Sequence, residues 1–540
     1  MANTTCNLSI HMTDLSLADT HSFIGDWCVP PSQGASEHSI PGTLEWSVNG
    51  GTLTLHEALT AHSGPIYGVS DTQAVAAIYG RSLRGQAVTV LGALPVTIPL
   101  PAPLAGPKQS QVFRNSLCVI GAHVEPDALF SCLKFRMPGL DLWLDAGGIQ
   151  QTIQSTPLKI IYEVQPTEAH QVDIPSKGLK LVFEMTRNMP APMGTDVTIS
   201  STGWMKVLSD APGTFDKLFE QAEQAMRLLS FMSGSPMTPD TISATLQDQT
   251  QVSVLLAVDH KRTCTFKRPH DFFMRRLSLG MPLEVAFRKW YDMLEKADLA
   301  SKLAQAIFSS EGLWMHVEFL SLMQALEGLH RSLMPGTYCD KDAYDVIARA
   351  ITGAIPASVD SEHKDSLKAR IKYGNEHSLR KRLKNLLSDL PLAVRQLTLL
   401  DRSIPGSWVD TRNYYTHWDA GSGSNVLKDH GMHRANVCMR VLLRLLYLHQ
   451  VGIPEPQLLA ALRSPNSEVQ YLNQLNALEI RRANPASTVG AIAHIGLPLP
   501  SEVAQGAPST VESARGRAPG IKLDGFIRHI KELLEQQARR

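Results

Sequence analysis

Residues 411–417, late in the chain, combine the side chains that cleavage of a phosphodiester requires. Arg412 carries a permanent cation whose planar fork of donors fits a phosphate. His417, five positions later, can accept or donate a proton near neutral pH. Asn413 follows the arginine directly. The arginine and the histidine together could therefore cleave a phosphodiester without a metal ion.

The five-residue spacing of Arg412 and His417 is weak evidence for a catalytic site when taken alone. Composition predicts about one Arg-x4-His pair by chance in a chain of this length. A second pair, Arg444 and His449, lies in a strongly periodic segment, where we expect both residues on a solvated helix face. Around Arg412, breaks at 405–407 and 421–424 enclose a segment dense in polar and aromatic side chains. We therefore expect a short helix held at a surface or groove.

The elements that position these residues must come from a chain of ordinary composition. Its 540 residues suffice for two to four domains with a sizeable core. Lys and Arg number 51, as do Asp and Glu, so binding to a nucleic acid would need a local basic patch. The seven cysteines form no CxxC pair, which argues against a zinc ribbon or a disulfide framework and predicts a reducing compartment.

No secretory or membrane segment is predicted. The first residues lack a basic stretch before an apolar run. The longest apolar stretch, residues 88–105, contains four prolines and is typical of a strand followed by an extended loop. The sequence thus indicates a cytoplasmic protein with no membrane partner.

Residues 1–280 show short strands separated by turns, which we divide into a β-rich N-terminal domain (1–150) and a second β-rich sub-domain (151–280). Residues 43–48 and 52–55 flank an Asn-Gly-Gly turn and predict a hairpin. Trp27, Trp46 and Trp143 are predicted to be core or surface-groove aromatics and not a cofactor site. The other predicted elements are strands at 88–91, 117–120, 133–135, 158–164, 179–183 and 252–258, and a helix at 215–232.

Residues 281–455 show helical periodicity without strand patterns, which predicts an all-α bundle. The predicted helices lie at 283–294, 299–307, 319–333, 343–351, 379–387, 392–399 and 437–448. We further expect a helical extension (456–481), a flexible linker (482–520) and a terminal amphipathic helix (521–540) that docks on the protein itself or on a partner. The predicted fold class is multidomain α+β, with a β-rich N-terminal half before the bundle.

Several of these segments together resemble a known family. An Arg-Asn-x3-His motif leading a late helix of an all-α bundle resembles the HEPN domain. Residues 319–331 are similar to the first long helix of such domains in phage-defence proteins, and residues 379–383 resemble their basic segment. The N-terminal half resembles the ApeA-type N-terminal domain at residues 25–30, 41–44, 51–55 and 287–291. The resemblance spans about residues 20–450.

The resemblance implies a ribonuclease that acts as a homodimer or higher homo-oligomer, with no metal or other cofactor. His417 would act as general base on the ribose 2′-OH or as general acid on the leaving 5′-oxygen. Arg412 would bind the scissile phosphate, and Asn413 would orient the histidine or a phosphate oxygen. Five residues on a regular helix diverge by about 140°, so two copies of the motif would share one cleft.

RNA would need a local positive field. Residues 361–385 carry eight basic residues and three acidic ones. Within this run Arg380, Lys381, Arg382 and Lys384 are the candidates to bind the RNA backbone. Glu327, in an otherwise apolar helix, is a weaker candidate for positioning Arg412 or His417.

The leading hypothesis is an endoribonuclease effector of abortive-infection-type anti-phage defence. Its β-rich half would act as sensor or restraint, where a phage-derived trigger could bind. The alternative is a non-catalytic HEPN-like dimer that binds RNA or a partner protein.

Overall fold

The structure is a computed structural model of the chain. It describes residues 14–30, 39–59, 74–97, 110–144, 149–156, 158–164, 168–188, 199–257, 266, 268–310, 312–398, 400, 403–417, 425–464 and 467–483. The predicted linker (482–520) falls almost wholly outside these residues, and the predicted terminal helix (521–540) does so completely.

Fifteen strands are described, and every strand segment predicted from sequence overlaps one of them, although the predicted segments 43–48 and 252–258 run past the observed strand ends at 47 and 256. Residues 43–48 and 52–55 belong to the predicted hairpin, β2–β3. The strands are β1 (His21–Cys28), β2 (Ile40–Ser47), β3 (Gly50–Leu55), β4 (Val75–Ser82), β5 (Ala87–Pro95), β6 (Gln111–Asn115), β7 (Leu117–Ile120), β8 (Phe130–Arg136), β9 (Ile149–Ser155), β10 (Leu158–Val164), β11 (His170–Ile174), β12 (Leu179–Asn188), β13 (Ser200–Gly213), β14 (Thr241–Leu246) and β15 (Gln251–Leu256).

Thirteen of these strands form one sheet in the order β11-β12-β13-β8-β14-β15-β7-β5-β4-β1-β2-β3-β6. A further pairing of β5 with β6 closes β5, β4, β1, β2, β3 and β6 into a ring. Strands β7 and β8, from before residue 150, pair with β15, β13 and β14, from after it. The two predicted β-rich sub-domains therefore share one sheet, apart from the separate ribbon β9–β10.

The core of the β-rich half is built on alternating strand faces, as the period of two requires. In β1 and β2 every second residue is buried. Trp27, Trp46 and Trp143 are all at most 2% exposed, so the structure confirms them as core residues.

Twelve helices are described. They are α1 (Leu140–Leu144), α2 (Phe215–Ser233), α3 (Leu283–Ser309), α4 (Met315–Leu333), α5 (Lys341–Gly353), α6 (Ser361–Lys372), α7 (Leu379–Asp389), α8 (Leu392–Leu397), α9 (Gly406–His417), α10 (Asp429–Gln450), α11 (Glu455–Leu462) and α12 (Ser467–Ala483). The two helices predicted at 283–307 form one helix, α3, with a kink at Ala297. Helix α6 was not predicted, because its charged residues leave no apolar stripe to read.

In the bundle, α4 packs against α3, α7, α9 and α10. Helices α5 and α6, both described in full, form a hairpin that buries none of its residues. The chain divides into two compact units, Met1–Asn476 and Ala477–Arg540. All contacts discussed below lie within the first unit.

The β-rich half and the bundle share a core through α2. The Phe231 ring on α2 stacks on Tyr447 of α10, with centroids 4.6 Å apart and planes 5° from parallel. Trp290 of α3 meets both rings edge to face. Its indole N–H donates to the carbonyl of Gln224 at 2.7 Å. This interdigitation fixes the bundle against the sheet.

Candidate active site

The short helix α9 positions the Arg412 motif. It begins at Gly406, directly after Pro405, and ends at His417. Trp408 and Thr411 are buried and hold the inner face of the helix. The Thr411 hydroxyl accepts a hydrogen bond from the backbone N–H of Leu427 at 2.8 Å. The helix is thus anchored on one side, which leaves the motif residues on the other.

Arg412 is held by two acceptors within its own chain. Its Nη1 donates to the Oδ1 of Asn413 at 3.3 Å. Its Nη2 lies 3.8 Å from the Oε2 of Glu327 on α4, and about a third of the side chain remains exposed. The structure therefore brings three of the predicted site residues together, and Asn413 contacts the arginine. A guanidinium held this way is oriented and still open to a phosphate.

His417 is the last residue of α9 and is exposed. Because one helix carries both motif residues, His417 lies about 140° around the axis from Arg412 and about 7.5 Å along it. The two side chains of a single motif therefore point in different directions.

Glu327 belongs to a chain of ion pairs that continues beyond the motif. Its Oε1 accepts from Nε and Nη2 of Arg331, each at 3.1 Å. Arg331 also binds Oε2 of Glu376 at 3.1 Å, and Arg382 binds the same oxygen at 3.2 Å. Glu376 lies at the base of the α5–α6 hairpin, so the series Arg412–Glu327–Arg331–Glu376–Arg382 joins that hairpin to the motif.

Arg382 is the predicted RNA-binding residue that the structure places inside the bundle. Only 2% of it is exposed. Its Nε donates to the carbonyl of His377 at 2.9 Å, and its Nη1 lies 3.4 Å from Nδ1 of His330. With these partners and Glu376, the guanidinium has no surface to offer to a phosphate. The sequence pattern placed it in a basic run because its contact with His330, 52 residues earlier, cannot be read from that run.

His330 is fully buried beside Arg382 and the Asn385 amide. Burial first, and then the nearby Arg382 charge, lower the pKa of this imidazole to about 4. Since a guanidinium can only donate, Nδ1 of His330 must accept. The imidazole is therefore neutral and serves to position Arg382.

The other three basic candidates lie on the outer part of α7. Arg380 and Lys384 are exposed, and Lys381 is half-buried. Arg380 reaches the start of the motif helix, because a Cβ at Gly406 would lie 3.2 Å from its Nη2. Positive charge therefore adjoins α9 at its N-terminal end, where a helix also favours anions.

Aromatic rings extend the site in a direction that the sequence did not indicate. Tyr415, three residues after Arg412, lies nearly parallel to the His316 ring at 5.5 Å. Tyr414 meets Tyr415 edge to face, and Trp314 lies 6.3 Å from His316 on the other side. These four rings connect the motif to the start of α4.

In the second Arg-x4-His pair Arg444 has a structural role, and the prediction that it is solvated was wrong. This arginine is 2% exposed and binds Glu468 of α12 at 2.5 Å. Its guanidinium also lies over the rings of Phe273 and Phe308. Residues 441–448 of α10 are all buried, so this part of the helix is buried on every side. The periodic pattern in the sequence therefore came from a central helix and not from an amphipathic surface helix.

Two properties concern the described residues as a set. None of their His, Cys, Asp and Glu side chains forms a group of three or more that could hold a metal ion. Within the same part of the chain, the helices lack the length and apolar character needed to cross a bilayer.

Two family models match the chain. Residues 22–290 match ApeA N-terminal domain 1, and residues 320–457 match Apea-like HEPN. The chain is an ApeA-like protein with a C-terminal HEPN domain. The HEPN match contains Glu327, Arg412 and His417, and α3 joins the two matched regions. No curated protein and no solved structure matches the chain.

Membership of the ApeA-like family supports an anti-phage HEPN effector. A HEPN domain suggests nuclease activity in general, and such domains generally dimerise and act on RNA. In this ApeA-like chain the HEPN bundle keeps both ionisable residues of its motif on one helix, α9.

Proposed function

We propose that this ApeA-like protein is a metal-independent HEPN endoribonuclease, and that it acts in the cytoplasm as an abortive-infection effector against phage. One observation carries the proposal: Arg412 and His417 both reach solvent from one anchored helix of the HEPN domain, with Glu327 beside the arginine. One exposed helix thus carries both a phosphate ligand and a proton-transfer group.

The reaction is transesterification by the ribose 2′-OH. His417 removes the proton of that hydroxyl as its oxygen attacks the phosphorus, or protonates the 5′-oxygen as the P–O bond breaks. Arg412 neutralises the charge that builds on the phosphate oxygens. The products are a 2′,3′-cyclic phosphate and a free 5′-hydroxyl. No cofactor enters this scheme, and DNA is not a substrate because it lacks the nucleophile.

The active site would be composite. Since one motif spreads its two side chains about 140° apart, a two-fold axis between two α9 helices would bring His417 of one chain to Arg412 of the other. The protein is therefore proposed to act as a homodimer or a higher homo-oligomer.

The β-rich half would restrain the nuclease and respond to a phage-derived trigger. What supports this role is the shared core, in which Phe231 of the β-rich half stacks on Tyr447 of the HEPN domain. A change in the sheet or in α2 can reach α10 through direct contact.

Purified protein tests the activity. We expect the wild type to cleave single-stranded RNA to 2′,3′-cyclic phosphate ends, and Arg412→Ala and His417→Ala to lose at least about a hundredfold in rate. Arg349→Ala, at an exposed arginine on α5, is the matched control. Cleavage by both motif variants at the wild-type rate would show the proposal to be wrong. Intact RNA with tight binding would instead favour the non-catalytic alternative.

Mixing the two inactive variants tests the composite site. A heterodimer of Arg412→Ala and His417→Ala chains has one dead site and one site with both native residues. Random assortment therefore restores about a quarter of wild-type activity if the site spans two chains. A site within one chain predicts no recovery after mixing.

A further inference from the structure

One tryptophan in the bundle differs from the others that the structure describes. Seven of the eight tryptophans lie within the described residues, and six of these are at most 4% exposed. Trp314 is 76% exposed. Leaving an indole in water forgoes a large gain from burial, so an isolated exposure of this kind calls for a reason.

Neither side-chain packing nor helix capping explains why Trp314 is exposed. Trp314 occupies the N-cap position of α4 without making a side-chain cap. An indole has only a donor, whereas the free N–H groups at a helix start need an acceptor. Glu318, one turn into the helix, is already bound by Arg440 at 2.5 Å. The indole therefore contributes little to the folding of α4.

The surroundings of Trp314 lead to the motif. The row of rings runs from Trp314 through His316 and Tyr415 to Tyr414. Residues three apart on a helix are surface neighbours, so Tyr415 adjoins Arg412. A phosphate bound by Arg412 would thus have this row of rings beside its own nucleoside.

We propose that this row is a stacking platform for unpaired nucleobases next to the scissile phosphate, with Trp314 as its exposed end. The inference rests on the proposed function and adds to it a subsite for unpaired bases. Rings stack on any base, so the platform recognises unpaired nucleotides without selecting a sequence. A base within a duplex is already stacked and presents no free face.

The charge and the size of this surface favour RNA over a protein as the molecule that binds there. Arg412 adjoins Tyr415 in the row, and Arg380 of α7 reaches the start of α9, so the surface favours a polyanion. The apolar neighbours of Trp314, namely Met315 and Val317, are only about 40% exposed. Three such residues are far fewer than the roughly 20 per side that a stable protein interface buries.

Binding of a non-cleavable RNA tests the platform in the full-length protein. A labelled 12-nucleotide 2′-O-methyl RNA has no free nucleophile, so fluorescence anisotropy measures affinity alone. We expect Trp314→Ala to raise the Kd by about 5- to 100-fold, the usual effect of losing one stacked base. Trp314→Phe should recover most of the affinity. Leu299→Ala, 82% exposed on α3, is the matched control and should bind as the wild type does.

Abasic substitutions locate the contact. When an abasic nucleotide is moved along the 12-mer, the wild type should lose affinity at one or two positions near the site. Trp314→Ala should show no loss at those positions, because the ring that would have stacked there is gone. A duplex of the same sequence should bind the wild type and Trp314→Ala equally.

Three results would overturn the platform. They are wild-type affinity of Trp314→Ala for the 12-mer, equal losses for single strand and duplex, and a change from dimer to monomer in sedimentation, which would make Trp314 a protein contact. Cleavage that still depends on Arg412 and His417 in any of these cases leaves the nuclease proposal in place. Cleavage independent of both residues would remove that proposal instead.

Discussion

The carboxylate of Glu327 lies 3.8 Å from the guanidinium of Arg412, and its other oxygen is held by Arg331. One acidic side chain thus lies between two cations, balances their charges and orients both. Without the carboxylate, Arg331 and Arg412 would repel each other across the space that it fills. Glu327 is therefore proposed as a positioning residue, although it would not itself touch RNA.

Glu327→Gln should lower the cleavage rate by about tenfold to a hundredfold, because the amide cannot balance two guanidinium charges and Arg412 loses its orientation. We expect the loss mainly in kcat, measured with a fluorogenic RNA under saturating substrate. Glu284→Gln, which removes an exposed i,i+4 pair with Arg288 on α3, is the control and should be silent. A Glu327→Gln enzyme with unchanged kcat would remove Glu327 from the mechanism.

Lys381 and Arg382 are adjacent in sequence, but we expect their substitutions to act differently. Arg382→Ala leaves the His377 carbonyl and Nδ1 of His330 without their donor and leaves Glu376 with Arg331, and should lower the free energy of unfolding by about 3 kcal/mol. Lys381→Ala should change stability by less than about 0.5 kcal/mol and should reduce the salt dependence of RNA binding by about one unit of slope. Urea unfolding and RNA titrations at several salt concentrations measure both. Equal effects of the two variants would contradict the assignment.

The lowered pKa of His330 predicts how the stability of the protein depends on pH. The folded pKa of about 4 lies below the ordinary value of 6.5, so between these values the unfolded chain binds a proton that the folded chain does not. Stability should therefore be complete above about pH 6.5 and fall, by on the order of 2 kcal/mol, as the pH decreases to 4. The measurement is the difference between wild type and His330→Gln in urea unfolding at pH 7, 5.5 and 4.5. Parallel pH profiles for the two proteins would exclude this histidine as a source of acid sensitivity.

Arg444 and His449 should behave as structural residues despite their Arg-x4-His spacing. Arg444→Ala leaves the Glu468 carboxylate with Arg440, at 3.6 Å, as a remaining ion-pair partner among the described residues. The variant should lower the free energy of unfolding by about 3 kcal/mol. His449→Gln, at a partly exposed position, should cost less than about 0.5 kcal/mol. Below the unfolding transition, both variants should cleave RNA at the wild-type rate. A specific loss of cleavage in stable His449→Gln protein would give this pair a functional role.

The sequence predicted the β-rich half, the helical bundle and the exposed motif because each depends on local periodicity or on breaks beside it. It could not distinguish Arg382 from Lys381, or Arg444 from a surface arginine. The burial of each arginine depends on a partner outside its own local pattern: His330 lies 52 residues before Arg382, and Glu468 lies 24 residues after Arg444. The same reason applies to the sheet, where the pairing of β7 with β15 joins segments more than 130 residues apart.

The row of rings beside Arg412 also could not be predicted from the sequence. Tyr414 and Tyr415 were visible within the motif segment, but Trp314 and His316 lie about 100 residues earlier, at the start of another helix. Nothing in their spacing relates them to Arg412. Trp314 stands directly before the observed start of α4, at a position that usually needs Ser, Thr, Asp or Asn, but the helix predicted from sequence began only at residue 319.

The aromatic cluster of Phe231, Trp290, Phe308 and Tyr447 limits how such proteins can be recombined. Neither half has a finished core without the other, so a cut near residue 310 would expose Tyr447 on the HEPN side and the other three rings on the β-rich side. A β-rich half transplanted from a related chain would need a matching aromatic face on its own α2. Exchange of specificity between such chains is therefore easiest at the exposed α5–α6 hairpin, and hardest at the junction where the two matched families meet.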